Sequence, residues 1–81
     1  MTDYKVQSVI IDNNKYTLQQ AVEFLHRNDF KYGKVDKTKN LWRFRQIEPA
    51  KLRRDGYSHY RTKEISPDIS LVIAYKKSST Y

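Results

Sequence analysis

The spacing of apolar residues changes several times along the chain, and each spacing predicts an element. Val6 to Ile11 (VQSVII) is rich in β-branched residues and runs into Asp12-Asn13-Asn14, a turn-favouring cluster, which predicts a strand. Thr17-Leu18-Gln19-Gln20 then places a hydroxyl at a helix N-cap with glutamine three residues on, the capping-box arrangement. Leu18, Ala21, Val22 and Leu25 follow at spacings of three and four and form one apolar stripe, with Phe24 on its flank. Glu23 and Arg27 are spaced to pair across one turn of the outer face. Asn28-Asp29 should end the helix, since both residue types tolerate the left-handed backbone that a helix end often needs.

After Phe30 the period shortens. Tyr32 to Val35 reads as extended, Asp36 to Asn40 as a polar turn, and Leu41 to Ile47 (LWRFRQI) alternates, so the three predict a hairpin. Pro49, lacking an amide proton, should end that strand. Glu48 to Gly56 is a charged loop with room for a short helical turn. Tyr57 to Ile65 alternates loosely as a further strand, and Ser66-Pro67-Asp68 is a turn. Ile69 to Tyr75 (ISLVIAY) carries the strongest strand pattern, with Ile69, Leu71, Ile73 and Tyr75 on one face. Lys76 to Tyr81 should fray. The pattern predicts one α+β domain over residues 1–81, with one helix packed on a three- to four-stranded, mainly antiparallel sheet in β-α-β-β-β order.

Composition narrows what such a domain can do. Eighty-one residues bury only about 60 to 65% of the surface that the unfolded chain exposes, so the core is modest. With no cysteine, neither disulfides nor thiolate-bound zinc can supplement it, which suits a reducing compartment. The longest apolar run, Leu71 to Tyr75, is far too short to span a bilayer, and MTDYKVQS lacks the features of a secretory signal. The expectation is a soluble, unprocessed protein without a membrane partner.

Charge sharpens the reading. The net charge is +7, and the stretch from Lys31 to Lys63 holds eleven Lys and Arg against Asp36, Glu48 and Asp55, a balance of +8. The rest of the chain balances to −1. A solubilising surface would need no such concentration; a localised positive face that meets an anionic partner would.

Two segments combine that charge with aromatic rings. In an extended LWRFRQ, Trp42, Phe44 and Gln46 point one way and Leu41, Arg43 and Arg45 the other. The aromatics suit the core. The arginines, whose planar forks match phosphate and stack on bases, suit a contact row. Charged alternate positions are also the default for a strand buried on one face. The second segment, Tyr57-Ser58-His59-Tyr60-Arg61, follows Lys51, Arg53 and Arg54 and precedes Lys63. Such interleaving provides stacking and phosphate neutralisation together, although tyrosines are also ordinary half-buried strand residues. The candidate nucleic-acid contacts are therefore Arg43, Arg45, Lys51, Arg53, Arg54, Tyr57, His59, Tyr60, Arg61 and Lys63. His26 and His59 have no carboxylate at a dyad spacing, Gly33 and Gly56 are isolated, and no nucleophile elbow is present, so neither an enzyme nor a cofactor or metal is expected.

The run from Thr17 to Pro49 resembles a small domain that recurs in proteins of tailed phages and large DNA viruses, alone or joined to segments like phage head-maturation proteases. The likeness rests on Leu18, Ala21, Phe24 and Leu25 of a Leu-x-x-Ala-x-x-aromatic-Leu helix, on Lys34-Val35-Asp36, and on Trp42 to Gln46. Arg61-Thr62 and Leu71 to Tyr75 resemble its closing segment. Asp29 stands where that family usually has glycine, which should strain the helix end slightly. The resemblance implies a viral, non-enzymatic accessory role in assembly or DNA handling, inside the host cytoplasm or nucleus or within the virion. Two partner classes stay open: nucleic acid, DNA or RNA, and a viral or host protein docked on the sheet edge or the basic-aromatic face.

Overall fold

The computed structural model describes residues 4–76. Seven elements follow one another: β1 (Tyr4–Asp12), α1 (Leu18–Arg27), β2 (Val35–Lys37), β3 (Leu41–Arg45), α2 (Pro49–Arg54), β4 (Tyr57–Ser66) and β5 (Ile69–Lys76). The strands form one five-stranded sheet in the order β2-β3-β1-β5-β4, with every neighbouring pair antiparallel. The class is α+β, as the pattern predicts. The sheet has five strands where three or four were expected; the hairpin partner of β3, expected over Tyr32 to Val35, pairs over Val35–Lys37, so Asp36 and Lys37 belong to the strand and not to the turn. Of the tail expected to fray, Lys76 belongs to β5 and residues 77–81 lie outside the described residues.

The β1–β3 and β1–β5 pairings decide which side chains share a face. Val9 lies opposite both Phe44 and Leu71, and Ile11 opposite both Trp42 and Ile69. Residues directly opposite in neighbouring strands point the same way, so these six form one apolar surface. Ala21 and Leu25 of α1 close over it, and Val9, Ile11, Ala21, Leu25, Phe44 and Ile69 are buried together. Burying one such large aliphatic or aromatic side chain contributes about 1.5–3 kcal/mol. Leu18, at the edge of the stripe, stays exposed.

Local chemistry sets the ends of α1. The Thr17 hydroxyl accepts from the Gln20 amide at 3.2 Å, and the Gln20 side chain accepts from the Thr17 amide at 2.9 Å, completing the capping box. At the other end Asp29 takes φ 60°, the left-handed backbone that glycine would supply without a Cβ penalty. No ion pair joins Glu23 and Arg27, so the helix rests on its caps and its apolar face. Before α1, the Asp12 carboxylate accepts from the Asn14 amide at 2.8 Å and folds the chain away from β1.

The charged segment Glu48 to Gly56, with room for a short helical turn, holds the six-residue helix α2. Pro49 takes the first turn of α2, where its missing N–H costs nothing. Leu52 of that helix is buried with Tyr57 and Ala74, and Ile47 packs against them. Ala74 lies opposite Lys5 and Tyr60, on the face away from α1, so this second small core covers one end of the sheet's other side. The remainder of that side mixes polar and charged groups with Ile10, Leu41 and Val72.

Candidate functional site

The sheet face away from α1 is organised by an irregularity in β1. Val6 pairs with Ile73 but Ser8 with Val72, so Gln7 is an extra residue that bulges the strand. Its side chain is only 2% exposed and every polar atom is engaged. Gln7 Nε2 donates to the Ile47 carbonyl at 3.2 Å, and Oε1 accepts from Ser8 Oγ at 2.6 Å and from an Arg43 Nη at 3.5 Å. The Gln7 carbonyl accepts from the Gln46 amide at 2.7 Å. One buried amide thus ties the approach to α2 onto the sheet and steadies Arg43 beside it.

Tying α2 down leaves a groove of about 570 Å³ between the helix and the sheet. Gln7 and Arg43 line it from β1 and β3, Pro49 and Arg53 from α2, and Ser58 and Tyr60 from β4. Neither Arg43 nor Arg53 forms an ion pair among the described residues. Tyr60 is 45% exposed and contacts no other ring or ammonium among those residues. Asp36, opposite Arg43 in the β2–β3 pair, directs its carboxylate to Arg45 instead.

A second cleft, about 300 Å³, lies on the other flank of the start of α2. Lys31, Lys34, Arg45, Glu48 and Lys51 line it. Here the charges meet partners: Glu48 accepts from Lys34 at 3.1 Å and from Arg45 at 3.3 Å, and Arg45 also approaches Asp36 at 3.7 Å. The Lys34 ammonium, hydrogen-bonded to Glu48, and then the Arg45 guanidinium hold the Glu48 carboxyl below its ordinary value. Gln46 accepts from the Lys31 amide at 2.7 Å and donates to the Lys31 carbonyl at 2.8 Å, which fixes the wall of this cleft.

The ten candidate contacts therefore do not form one patch. Arg43, Arg53 and Tyr60 converge on the larger groove, and Arg45 and Lys51 on the smaller cleft. Arg54 is exposed and lines neither. Tyr57 has to be withdrawn as a stacking surface: it is 5% exposed beneath α2, with the Lys5 and Lys76 ammonium groups 5.6 and 5.2 Å from its ring centre. The bulge between Tyr57 and His59 shifts the alternation, so the first tyrosine of the segment turns into the core. His59, Arg61 and Lys63 lie opposite Tyr75, Ile73 and Leu71, which places them on the α1 side of the sheet, away from the groove. His59 is half-buried and stacked on Tyr75 at 5.4 Å. The pleat separates them from Tyr60.

Gln7, Lys31, Lys34, Pro49 and Ser58 line the two clefts without having been singled out in the sequence. Gln7 had a signal, a long amide inside a β-branched run, but its reach to residues 43 and 47 is a long-range contact. Among the described residues no group of three or more His, Cys, Asp or Glu gathers to hold a metal ion, and no helix is long and apolar enough to cross a membrane. Comparison with protein-family models, with curated proteins and with solved structures finds no match.

Proposed function

We propose that this chain is a small, non-enzymatic viral accessory module that binds nucleic acid through the sheet face away from α1. The observation that carries the reading is the convergence of Arg43 and Arg53, both without carboxylate partners, on one groove beside the exposed Tyr60 ring. Two guanidinium groups on rigid elements offer bidentate donors to phosphate, and a polyanion is the partner whose gain grows with each one engaged. The viral role rests on the resemblance of residues 17–49. The test is fluorescence anisotropy of labelled oligonucleotides across a salt series. Binding should weaken steeply as salt rises, and the Arg43→Ala/Arg53→Ala double variant should bind less tightly with a shallower slope. An unchanged slope sinks the assignment.

A second reading has its own observation. β4 is a ten-residue edge strand paired only with β5, and Tyr60 and Ile65 are exposed on it. An extended segment of a viral or host protein could add there as a sixth strand. Absence of oligonucleotide binding at low salt would favour this reading.

A further inference from the structure

Resting on the nucleic-acid reading above, we infer that the groove takes an extended single strand, DNA or RNA, with a base stacked on Tyr60 and its phosphates held by Arg43 and Arg53. In a duplex the faces of the bases are already stacked on one another, so a protein ring beside the groove would meet only sugar and phosphate edges. An exposed aromatic ring next to two guanidinium groups gains from a strand whose bases are free, because stacking and charge neutralisation can act on the same nucleotide.

The groove also shows which kind of recognition is absent. Gln7 is the side chain best suited to reading a base edge, but its oxygen is held by Ser8 and Arg43 and its nitrogen by the Ile47 carbonyl. With that amide committed to bracing, what remains for the ligand is a π-face, cations and the short Ser58 hydroxyl, and every base presents a π-face. Binding should be tolerant of sequence, with differences among bases following their stacking strength.

The experiment uses the full chain and three fluorescent probes of equal length: oligo(dT), oligo(U) and a mixed-sequence DNA duplex. Anisotropy is measured at fixed low salt for the parent, Tyr60→Phe, Tyr60→Ala and a control, Lys15→Ala, which removes a cation outside both clefts. The expected result is single-strand binding at least several-fold tighter than duplex binding. Tyr60→Ala should lose roughly ten-fold on the single strands, with Tyr60→Phe near the parent. Lys15→Ala should also stay near the parent, and circular dichroism should show all variants folded. Equal affinity for the duplex, or a Tyr60→Ala variant that binds single strands as the parent does, overturns the single-strand inference and leaves the nucleic-acid reading standing. Failure of all three probes to bind overturns both.

Discussion

Two clefts share the sheet face away from α1, flank the start of α2 and draw on the same basic segment, yet their cations meet different neighbours. In the smaller one, Glu48 and Asp36 already answer Arg45 and Lys34. In the larger one, Arg43 and Arg53 face an aromatic ring and a committed amide, and neither forms an ion pair among the described residues. Arg43 and Arg45 are two residues apart on one strand and point to one face, so neither local sequence nor strand geometry distinguishes them. The placement of two acidic side chains does. Positive charge in a small protein divides into charge that closes the fold and charge left for a partner, and only the second kind produces a strong dependence of binding on salt.

The largest expected effect tests whether the two clefts stand on one scaffold. Phe44 lies between the two arginines in sequence and points into the core beneath them. Phe44→Ala should cost about 3–5 kcal/mol, and urea unfolding should show a single transition. Two separate transitions would mean that the clefts belong to independently stable units, and the comparison would break. Gln7→Ala comes next. It leaves the Ile47 carbonyl and the Ser8 hydroxyl without their buried partner, at a cost of about 1–3 kcal/mol in the same assay. A loss below about 0.5 kcal/mol would show that the amide does not brace the groove.

The comparison itself is sharpened by binding. Arg43→Ala/Arg53→Ala should lower the single-strand salt slope by about 1.4, corresponding to two phosphate contacts, whereas Arg45→Ala should lower it far less. Equal effects would abolish the distinction between the clefts. The smallest effect is a titration. Because Lys34 and then Arg45 depress the Glu48 carboxyl in the folded state, their stabilisation is present above the ordinary value of 4.5 and is lost as pH falls through the lowered one. Carboxyl NMR should place the Glu48 midpoint below 4.5, and Lys34→Ala should raise it.

Local patterns carried much of the fold. The capping box at Thr17, the stripe ending at Leu25 and the alternation of Ile69 to Tyr75 are short-range features whose cause lies within a few residues, so they were legible in the chain. A hairpin partner for β3 and room for a helical turn after Pro49 were legible too, but the bounds of β2 and the extent of α2 were not. β2 has too few residues for a period, and α2 is held by Leu52 packing on Tyr57 and Ala74, a contact between distant positions. The candidate site was legible in part. The basic-aromatic composition indicated Arg43, Arg53 and Tyr60, but the same reasoning admitted Tyr57, which a bulge turns inward, and His59, Arg61 and Lys63, which the pleat sends to the opposite face.

What the amino-acid sequence determined alone is the class of the domain, the residue types available to a partner and the concentration of the net positive charge in positions 31–63. Those properties depend on composition and on periodicities of two and of three to four residues. Which cations remain unpaired was decided only by tertiary structure. Neutralisation depends on distances of a few ångströms between residues far apart in the chain, such as Lys34 and Glu48, and one extra residue in β1 placed α2 so that a groove opened on one flank and an ion-paired cleft on the other.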